Sequence, residues 1–311
     1  MPTDYSAEEF FSSLVDHRLI IPVGVPGVFA RGAVFEDVLE RFDALITRTA
    51  RYDRAEVFTF PPVINRRVLE RVHYLDSSPH LCGAVCSFFG DEKQAKLLSQ
   101  RVNRQEAWND LLGMTDVVLS PAACYPVYPN MTGTAPAGGR LITVVNWVFR
   151  HEPSSEPTRM QAFRVREYIK VGTPQQVVEW RDMWLARGKS LLESLSLALQ
   201  VNSASDAFFG RAGEMLAESQ KHLRLKLEVS VPIISLRNPT AVCSFNLHQD
   251  HFSSPFDIRT SDGNLANTAC IGFGLERVVM ALFKTHGFET HLWPEDVRRQ
   301  LWLNDTGSTL S

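Results

Sequence analysis

Two arginines and one glycine-rich turn are the features of this chain best suited to binding an anion. Arg150 follows the apolar run that ends at Phe149, and Arg277 lies on the first turn of a predicted helix after Gly272 and Gly274. Glycine permits close approach of the backbone, and a helix N-terminus attracts negative charge. A guanidinium beside such a turn is suited to a phosphate. For the turn alone, a packing corner between strand and helix is the simpler interpretation.

Cysteine is the second residue type in this chain that could do chemistry. The five cysteines are Cys82, Cys86, Cys124, Cys243 and Cys270. Their odd number and scattered spacing disfavour a disulfide framework, which leaves buried thiols or metal ligands. Plain burial is the simpler interpretation for distant cysteines, because free cysteine is among the most buried residue types.

The composition is that of a globular protein with a large core. The chain has 311 residues, of which 44% are hydrophobic and 22% charged, and its net charge is −3. This balance disfavours a protein whose main task is to bind a long nucleic acid. No apolar run reaches the ~18 residues of a membrane span, and the first nine residues lack the layout of a signal peptide. We therefore predict a cytoplasmic protein that does not span a membrane.

Two predicted strands must position Arg150. Residues 141–149 form a near-continuous run of β-branched and aromatic residues, which is typical of a strand buried on both faces. After a polar loop, residues 159–171 predict a returning strand. Two long antiparallel strands are therefore implied.

Side-chain alternation predicts that these strands present a mixed face. Phe163, Val165 and Glu167 should share one face of the returning strand, because side chains alternate with a period of two. Arg150 and Glu152 are two residues apart and should likewise share a face. A solvated hairpin with cross-strand ion pairs is the simpler alternative if these strands stand alone.

Hydrophobic periodicity and proline predict the remaining elements. Helices are predicted at residues 34–46, 92–112, 175–201 and 206–216. Strands are predicted at residues 57–60, 116–120, 225–232 and 240–246, and a strand-turn-helix unit at 268–283. Residues 121–129 are too rich in proline to be helical, and the polar residues 304–311 are predicted to be a disordered tail.

Three of these features together resemble the motifs of class II aminoacyl-tRNA synthetases. Phe149-Arg-His-Glu152 with Phe163 resembles motif 2, and Gly272 to Arg277 resembles motif 3. Residues 46–62 resemble motif 1. Three motifs in the right order are far more specific than any one of them.

The resemblance implies a mixed α+β fold in which helices flank an antiparallel sheet. It implies a single catalytic domain over residues 1–311, with a helical insertion at about 174–222. It also implies a homodimer, since motif 1 usually forms the dimer interface in this family.

Cys124, Glu167 and Cys270 fall on positions that resemble the zinc site of the atypical seryl enzymes of methanogens. In those enzymes the metal holds the amino group of the amino acid. The absence of a tRNA-reading domain and the stretch from Ala207 to Gly213 resemble the bacterial amino acid:[carrier protein] ligases. Such ligases activate a small amino acid with ATP and pass it to the phosphopantetheine thiol of a carrier protein. The resemblance thus implies Zn²⁺, Mg²⁺ with ATP, an acyl carrier protein and no tRNA.

The resemblance also implies the role of each residue. Arg150 and Arg277 are the expected catalytic residues. The expected ATP-binding residues are Arg150, Glu152, Arg159, Met160, Phe163, Lys226, Ala241, Val242, Cys243, Ser244 and Arg277. The expected amino-acid-binding residues are Arg150, Glu167 and Asn246, and the expected zinc ligands are Cys124, Glu167 and Cys270. The basic residues that could dock an acidic carrier protein are Arg181, Arg187, Lys189, Arg211, Lys221 and Arg224, although a solvated face is the simpler interpretation of such residues.

Glycine, alanine and serine all stay open as the amino acid, with glycine or alanine favoured. Two alternatives to such a ligase also stay open at this point. One is a truncated seryl-tRNA synthetase-like enzyme that charges tRNA. The other is a non-catalytic paralogue that serves as a regulatory or binding subunit, which the intact Arg150, Glu152 and Arg277 disfavour. Seryl enzymes place a magnesium-binding glutamate near Thr240 or Ala241, and its absence leaves the number of Mg²⁺ ions open.

Overall fold

Helices and strands alternate along residues 6–302, the part of the chain that the computed structural model describes. The helices are α1 Ala7–Asp16, α2 Ala33–Thr49, α3 Arg66–Arg71, α4 Tyr74–Ser77, α5 Glu92–Asn103, α6 Pro174–Glu193, α7 Gly210–His222, α8 Ser253–Phe256, α9 Leu275–His286 and α10 Glu295–Trp302. The strands are β1 Ile20–Pro22, β2 Phe29–Arg31, β3 Glu56–Phe58, β4 Val63–Asn65, β5 Ala84–Phe88, β6 Leu112–Leu119, β7 Gly133–Thr134, β8 Arg140–Phe149, β9 Ala162–Gly172, β10 Gln200–Ser203, β11 Lys226–Val231, β12 Thr240–Gln249, β13 Ile258–Arg259 and β14 Asn267–Gly274. The predicted tail 304–311 lies outside the described residues.

Seven strands form the central sheet in the order β10-β11-β12-β14-β9-β8-β3. Neighbours are antiparallel except β8 and β3, which run parallel. A second sheet has the order β4-β6-β5. In the described part of the chain, no helix has both the length and the apolar character of a membrane span. This architecture confirms the predicted α+β class.

The register of the central sheet collects polar side chains on one face. Residues directly opposite each other on neighbouring strands point to the same side. The residues that share this face across β11, β12, β14 and β9 include Lys226, Glu228, Ser244, Asn246, Cys270, Gly272, Phe163 and Glu167. We call it the site face.

The opposite face of the sheet is closed by α6. Trp184 stacks on Tyr168 of β9 with ring centroids 5.0 Å apart. Gly188 lets the helix approach closely, because a Cβ atom there would come within 2.9 Å of the Phe245 ring. These contacts bury one face of the sheet and leave the site face for a ligand.

The predicted helix 175–201 is too long. In the structure α6 ends at Glu193, and Ser196 has a left-handed backbone with φ 56°, which an α-helix cannot continue through. Residues 200–203 form β10, which pairs with β11 as an edge strand. The predicted helical insertion at 174–222 therefore contains a strand.

Two other predicted helices are also wrong at their ends. The helix predicted at 92–112 ends at Asn103, and β6 already begins at Leu112. The helix predicted at 206–216 runs from Gly210 to His222. The first prediction is too long at its C-terminal end, and the second starts too early and ends too early.

Arg150 and Glu152 lie beyond the end of β8, so the prediction that they share a face of that strand was wrong. They belong to the loop between β8 and β9. The Glu152 N–H donates to the Arg150 carbonyl at 2.7 Å, and the Arg150 N–H donates to the Gln161 carbonyl at 2.9 Å. The hydrogen bond between Arg150 and Gln161 thus joins the two ends of this loop.

Glu276 joins the start of α9 to β9. Its side chain is fully buried, and it accepts hydrogen bonds from the Arg164 backbone N–H at 2.8 Å and from Arg164 Nε at 3.0 Å. Arg164 also donates two 2.7 Å hydrogen bonds to Glu36 of α2. Because Phe163 precedes Arg164 and Arg277 follows Glu276, this network fixes the backbone beneath both side chains.

Glu276→Gln should lower the free energy of unfolding by about 3 kcal/mol, because it leaves Arg164 and the nearby Arg31 without their buried carboxylate. Urea unfolding would measure this difference. Glu295→Gln, which removes an exposed ion pair with Arg299, is the matched control and should change stability by less than about 0.5 kcal/mol. Equal effects of the two substitutions would contradict the assignment.

Candidate active site

Cys124, Glu167 and Cys270 meet at the centre of the site face. Their ligand atoms all lie within 4.8 Å of one another, and the residues are 3%, 4% and 5% exposed. Glu167 and Cys270 come from the adjacent strands β9 and β14, whereas Cys124 comes from the turns that follow β6. The structure therefore brings together three residues that are far apart in the sequence.

Hydrogen bonds hold the Cys124 segment against the sheet. The Ala123 N–H donates to Glu167 Oε1 at 3.1 Å. The Phe149 N–H donates to the Ser120 carbonyl at 2.8 Å, and the Ser120 hydroxyl donates to the Ala122 carbonyl at 2.7 Å. Proline-rich turns, rather than a helix, thus deliver Cys124 to the site.

The donor set of this cluster fits a metal ion. Glu167 Oε2 is buried and has no hydrogen-bond partner among the described residues. Burial, and then the charge of Cys270, raise the pKa of Glu167 to about 8. Two cysteine sulphurs and one carboxylate are ligands that zinc accepts, and three protein ligands leave a fourth position for a substrate atom. A dication would also offset the burial of negative charge.

The two sulphurs of the cluster are not equivalent. The hydrogen bond between them lowers the pKa of Cys270 well below its usual value and raises that of Cys124 well above it. Asn246 Nδ2 also donates to Cys270 Sγ at 3.3 Å, and His248 Nε2 lies 3.4 Å from the same sulphur. Cys270 is therefore the sulphur whose negative charge the protein stabilises.

Both candidate catalytic arginines lie near the ring of Phe163. The guanidinium carbon of Arg150 is 5.8 Å from the centre of the Phe163 ring, and that of Arg277 is 5.9 Å away. Phe163 is 8% exposed. An aromatic ring with two guanidinium groups nearby can hold a flat ring system and its attached anions.

Carbonyl groups, rather than carboxylates, hold Arg277 in place. Its Nε donates to the Thr158 carbonyl at 2.9 Å, and one Nη donates to the Ala241 carbonyl at 3.1 Å. Burial, and then the charge of Arg150, lower the pKa of Arg277. An anion bound between the two arginines would relieve their repulsion, so this part of the site is suited to phosphate groups.

Lys226 has two acidic neighbours within the protein. Its Nζ lies 2.7 Å from Asp206 Oδ1 and 3.2 Å from Glu228 Oε1. Burial alone would lower the pKa of Lys226, but these two carboxylates raise it. Because Asp206 precedes α7, the ion pair ties the start of α7 to the site face.

The other candidate ATP-binding residues differ in how exposed they are. Arg159 is exposed and lies 3.5 Å from Glu156, and Glu152 is partly buried. Met160 is buried, and its sulphur accepts a hydrogen bond from Arg31.

Residues 241–244 belong to β12. Ser244 lies on the site face, whereas Cys243 pairs with Phe273 and points to the opposite face. Val242 is buried, and Ala241 offers its carbonyl to Arg277. Cys243 can therefore line the site only through its backbone.

Sequence reasoning missed an aromatic wall beside the cysteines. Tyr128 and Phe252 stack with ring centroids 4.0 Å apart and an interplanar angle of 6°. The Tyr128 hydroxyl lies 3.4 Å from His248 Nδ1. The closeness of Tyr128 to Cys124 in the sequence was an available signal, but the pairing with His248 was not visible there.

Comparison with known proteins identifies the family. No family model matches the chain. Amino acid–[acyl-carrier-protein] ligase 2 of Bradyrhizobium diazoefficiens is 42% identical over 307 residues, which cover 98% of this chain and 89% of that protein. The chain belongs to the amino acid–[acyl-carrier-protein] ligase family. Ligase 1 of the same organism is 41% identical over 304 residues, 97% of this chain and 90% of that protein. The predicted resemblance is confirmed, and the protein is an ATP-dependent ligase.

More distant relatives carry the same fold. Type-2 serine–tRNA ligase of Methanopyrus kandleri is 26% identical over 281 residues, 83% of this chain and 53% of that protein. The crystal structure of M. kandleri SerRS with Aquifex aeolicus tRNASec matches with a TM-score of 0.80 at 21% identity, covering 97% of this chain and 62% of that one. Prolyl-tRNA synthetase of Cryptosporidium parvum matches with a TM-score of 0.67 at 14% identity, covering 92% of this chain and 54% of that one. The predicted class II synthetase fold is confirmed.

Cys124→Ala should remove zinc from the protein, because two ligands cannot retain an ion that needs at least three from the protein. Metal analysis after gel filtration should find about one zinc ion per chain in the wild type and close to none in the variant. Cys86→Ala changes an exposed cysteine outside the cluster and should keep the wild-type zinc content. Unchanged zinc in Cys124→Ala would remove this assignment.

Proposed function

We propose that this ligase activates a small amino acid, glycine or alanine, with ATP and transfers it to the phosphopantetheine thiol of a carrier protein. One observation supports this most directly. A buried cluster suited to a metal, and hence to an amine, shares one sheet face with an aromatic ring flanked by two guanidinium groups. The site thus pairs a place for an amino group with a place for a nucleotide.

Arg150 orients the first step, formation of the aminoacyl adenylate. A carboxylate oxygen of the amino acid forms a bond to the α-phosphorus of ATP, and pyrophosphate leaves with the electron pair of the bond that breaks. The two acceptors of Arg150 are the α-phosphate and the amino acid carboxylate, because its fork can bind two oxygens at once. Alignment of the two anions is the main catalytic contribution.

The nucleotide is held by the residues around Phe163. The adenine ring stacks between Phe163 and Arg277, and Glu152 accepts a hydrogen bond from its amino group. Arg159, which is exposed at the rim, contacts the distal phosphates, and Mg²⁺ accompanies ATP. Lys226 and residues 241–244 line the ribose and phosphate side.

Cys124, Glu167 and Cys270 would hold a zinc ion, which when bound supplies a Lewis acid that selects a free amino group. The space around the amine is small. Tyr128 is fully buried beside Cys124, and Asn246 reaches Cys270 from β12. A short side chain therefore fits this position, which favours glycine or alanine.

Transfer completes the reaction. The phosphopantetheine sulphur forms a bond to the carbonyl carbon of the adenylate, AMP leaves with the electron pair of the carbon–oxygen bond, and the thiol proton passes to solvent. A thiol needs no dedicated base for this step, because a few per cent is already thiolate near neutral pH.

The experiment that tests this function measures pyrophosphate exchange into ATP with each of the twenty amino acids. Exchange should depend on glycine or alanine, and no exchange with any amino acid would overturn the proposal. The acceptor is tested with labelled amino acid, ATP, bulk tRNA and a holo carrier protein. Label should appear on the carrier protein, whereas label on tRNA would favour the seryl-tRNA synthetase-like alternative.

Helix α7 is the surface that we propose for the carrier protein. The three basic residues on α6 are already paired, as Arg181–Asp182, Arg187–Asp53 and Lys189–Glu193. Arg211, Lys221 and Arg224, on and just after α7, form no ion pair with residues 6–302. They are exposed beside Met215, which is 71% exposed, and Leu223, which is 55% exposed. An acidic partner with an apolar centre would complement this helix.

A homodimer and a cytoplasmic location stay predictions. The described feature that supports a dimer is Val57, which is 75% exposed on the edge strand β3. An exposed apolar residue on a strand edge is suited to pairing with another chain.

Arg150→Lys should lower the rate of amino-acid-dependent exchange about 10²–10³-fold, because lysine keeps the charge but cannot bind two oxygens in a fixed fork. The exchange rate at saturating ATP is the measurement. Arg159→Lys, at the exposed rim, should have a much smaller effect. A wild-type rate in Arg150→Lys would show that bidentate binding is not needed.

A double substitution of Arg211→Glu and Lys221→Glu should raise the KM for the holo carrier protein about tenfold by opposing its negative charge. Pyrophosphate exchange, which needs no carrier protein, should stay unchanged. Lys93→Glu on α5 is a matched control at a distant exposed position. An unchanged KM in the double variant would exclude α7 as the docking surface.

A further inference from the structure

His248 is a partly buried residue beside the metal-binding cluster, and the proposed reaction gives it no role. It lies on β12 at a β-bulge, where the pairing with β14 shifts between Leu247 and Gln249. His248 is two residues after Asn246, so the alternation of β12 already places its side chain on the site face. The ring reaches the metal-binding cluster, with Nε2 3.4 Å from Cys270 Sγ.

Two hydroxyl groups surround the second ring nitrogen of His248. Nδ1 lies 3.1 Å from the Thr268 hydroxyl and 3.4 Å from the Tyr128 hydroxyl. When either hydroxyl donates to Nδ1, Nε2 of the neutral ring carries the proton. Nε2 can therefore donate an N–H···S hydrogen bond to Cys270.

Packing fixes the direction of that bond. The His248 ring meets Phe252 edge to face at 4.9 Å and 87°, and Tyr128 at 6.3 Å and 87°. Thr268 and Tyr128 are both fully buried. The ring is thus held on two sides by aromatic faces and at Nδ1 by hydroxyl groups.

We propose that His248 is a positioning residue that orients Cys270 Sγ for metal binding through this hydrogen bond. The proposal rests on the zinc site of the proposed function and adds a role for a residue outside the ligand set. Two thiolates and one carboxylate carry one more negative charge than Zn²⁺ neutralises. An N–H donor at one sulphur stabilises that excess charge and holds the sulphur in the direction of Cys124 and Glu167.

A packing role and a hydrogen-bonding role of His248 predict opposite results for two substitutions. His248→Gln keeps an N–H donor at nearly the distance of Nε2 but removes the aromatic ring. His248→Phe keeps the ring against Phe252 and Tyr128 but has no nitrogen. His248 is not a ligand of the metal in the proposed site, so neither substitution removes a ligand.

The test is zinc affinity, measured by competition with a fluorescent chelator on wild type, His248→Gln and His248→Phe. We expect His248→Phe to weaken zinc binding about 10–100-fold and His248→Gln to stay within about threefold of wild type. Cobalt-substituted protein should show a shifted sulphur-to-metal absorption band in His248→Phe alone. Circular dichroism checks that each variant is folded.

The outcomes separate this role from the proposed function. Normal zinc affinity in His248→Phe, or weakening in His248→Gln as large as in His248→Phe, would overturn the role of His248 while leaving the zinc site intact. A wild-type protein that binds no zinc would overturn the zinc site itself, and the role of His248 with it.

Discussion

Burial of one carboxylate and two sulphurs, which two adjacent strands and one proline-rich segment bring together, is the constraint on which the rest of the site depends. A buried charge without a partner costs about several kcal/mol. The Ala123 N–H donates to one carboxylate oxygen of Glu167, and the other has no partner among residues 6–302. Asn246 and His248 offset the cost of negative charge at Cys270. The fold therefore brings together three buried groups whose charge a bound cation would offset.

The part of the same face around Phe163 has the opposite charge. Arg150 and Arg277 lie near Phe163 and are held by carbonyl oxygens, which orient a guanidinium without neutralising it. Pro121, whose carbonyl binds Arg150, lies three residues before Cys124. One short segment thus links the anionic and cationic halves. The proposed function therefore gives a zwitterionic amino acid one orientation, with its amine at the cluster and its carboxylate at Arg150.

The sequence alone predicted the position of a residue correctly where that position follows from the local hydrophobic pattern. The strand, turn and helix around Gly272 to Arg277 and the alternation of Phe163 and Glu167 were predicted because burial and period agree there. β10 was missed because all four of its residues are exposed and it exists only through pairing with β11. The contact of His248 with Cys270 was equally hidden, because it depends on which residues of β12 and β14 are paired.

The register of β14 against β9 sets the spacing of the residues to which the proposed function assigns the substrate. Glu167 and Phe163 are four residues apart on one strand, so their Cα atoms are about 13 Å apart. Gly272 pairs with Glu167 and Gly274 with Val165, which keeps the space between these positions free of side chains from β14. A slip of one residue would turn Cys270 to the helix-covered face and separate it from Glu167. Strand pairing therefore sets the distance between the two groups of side chains to which the proposed function assigns the ends of the substrate.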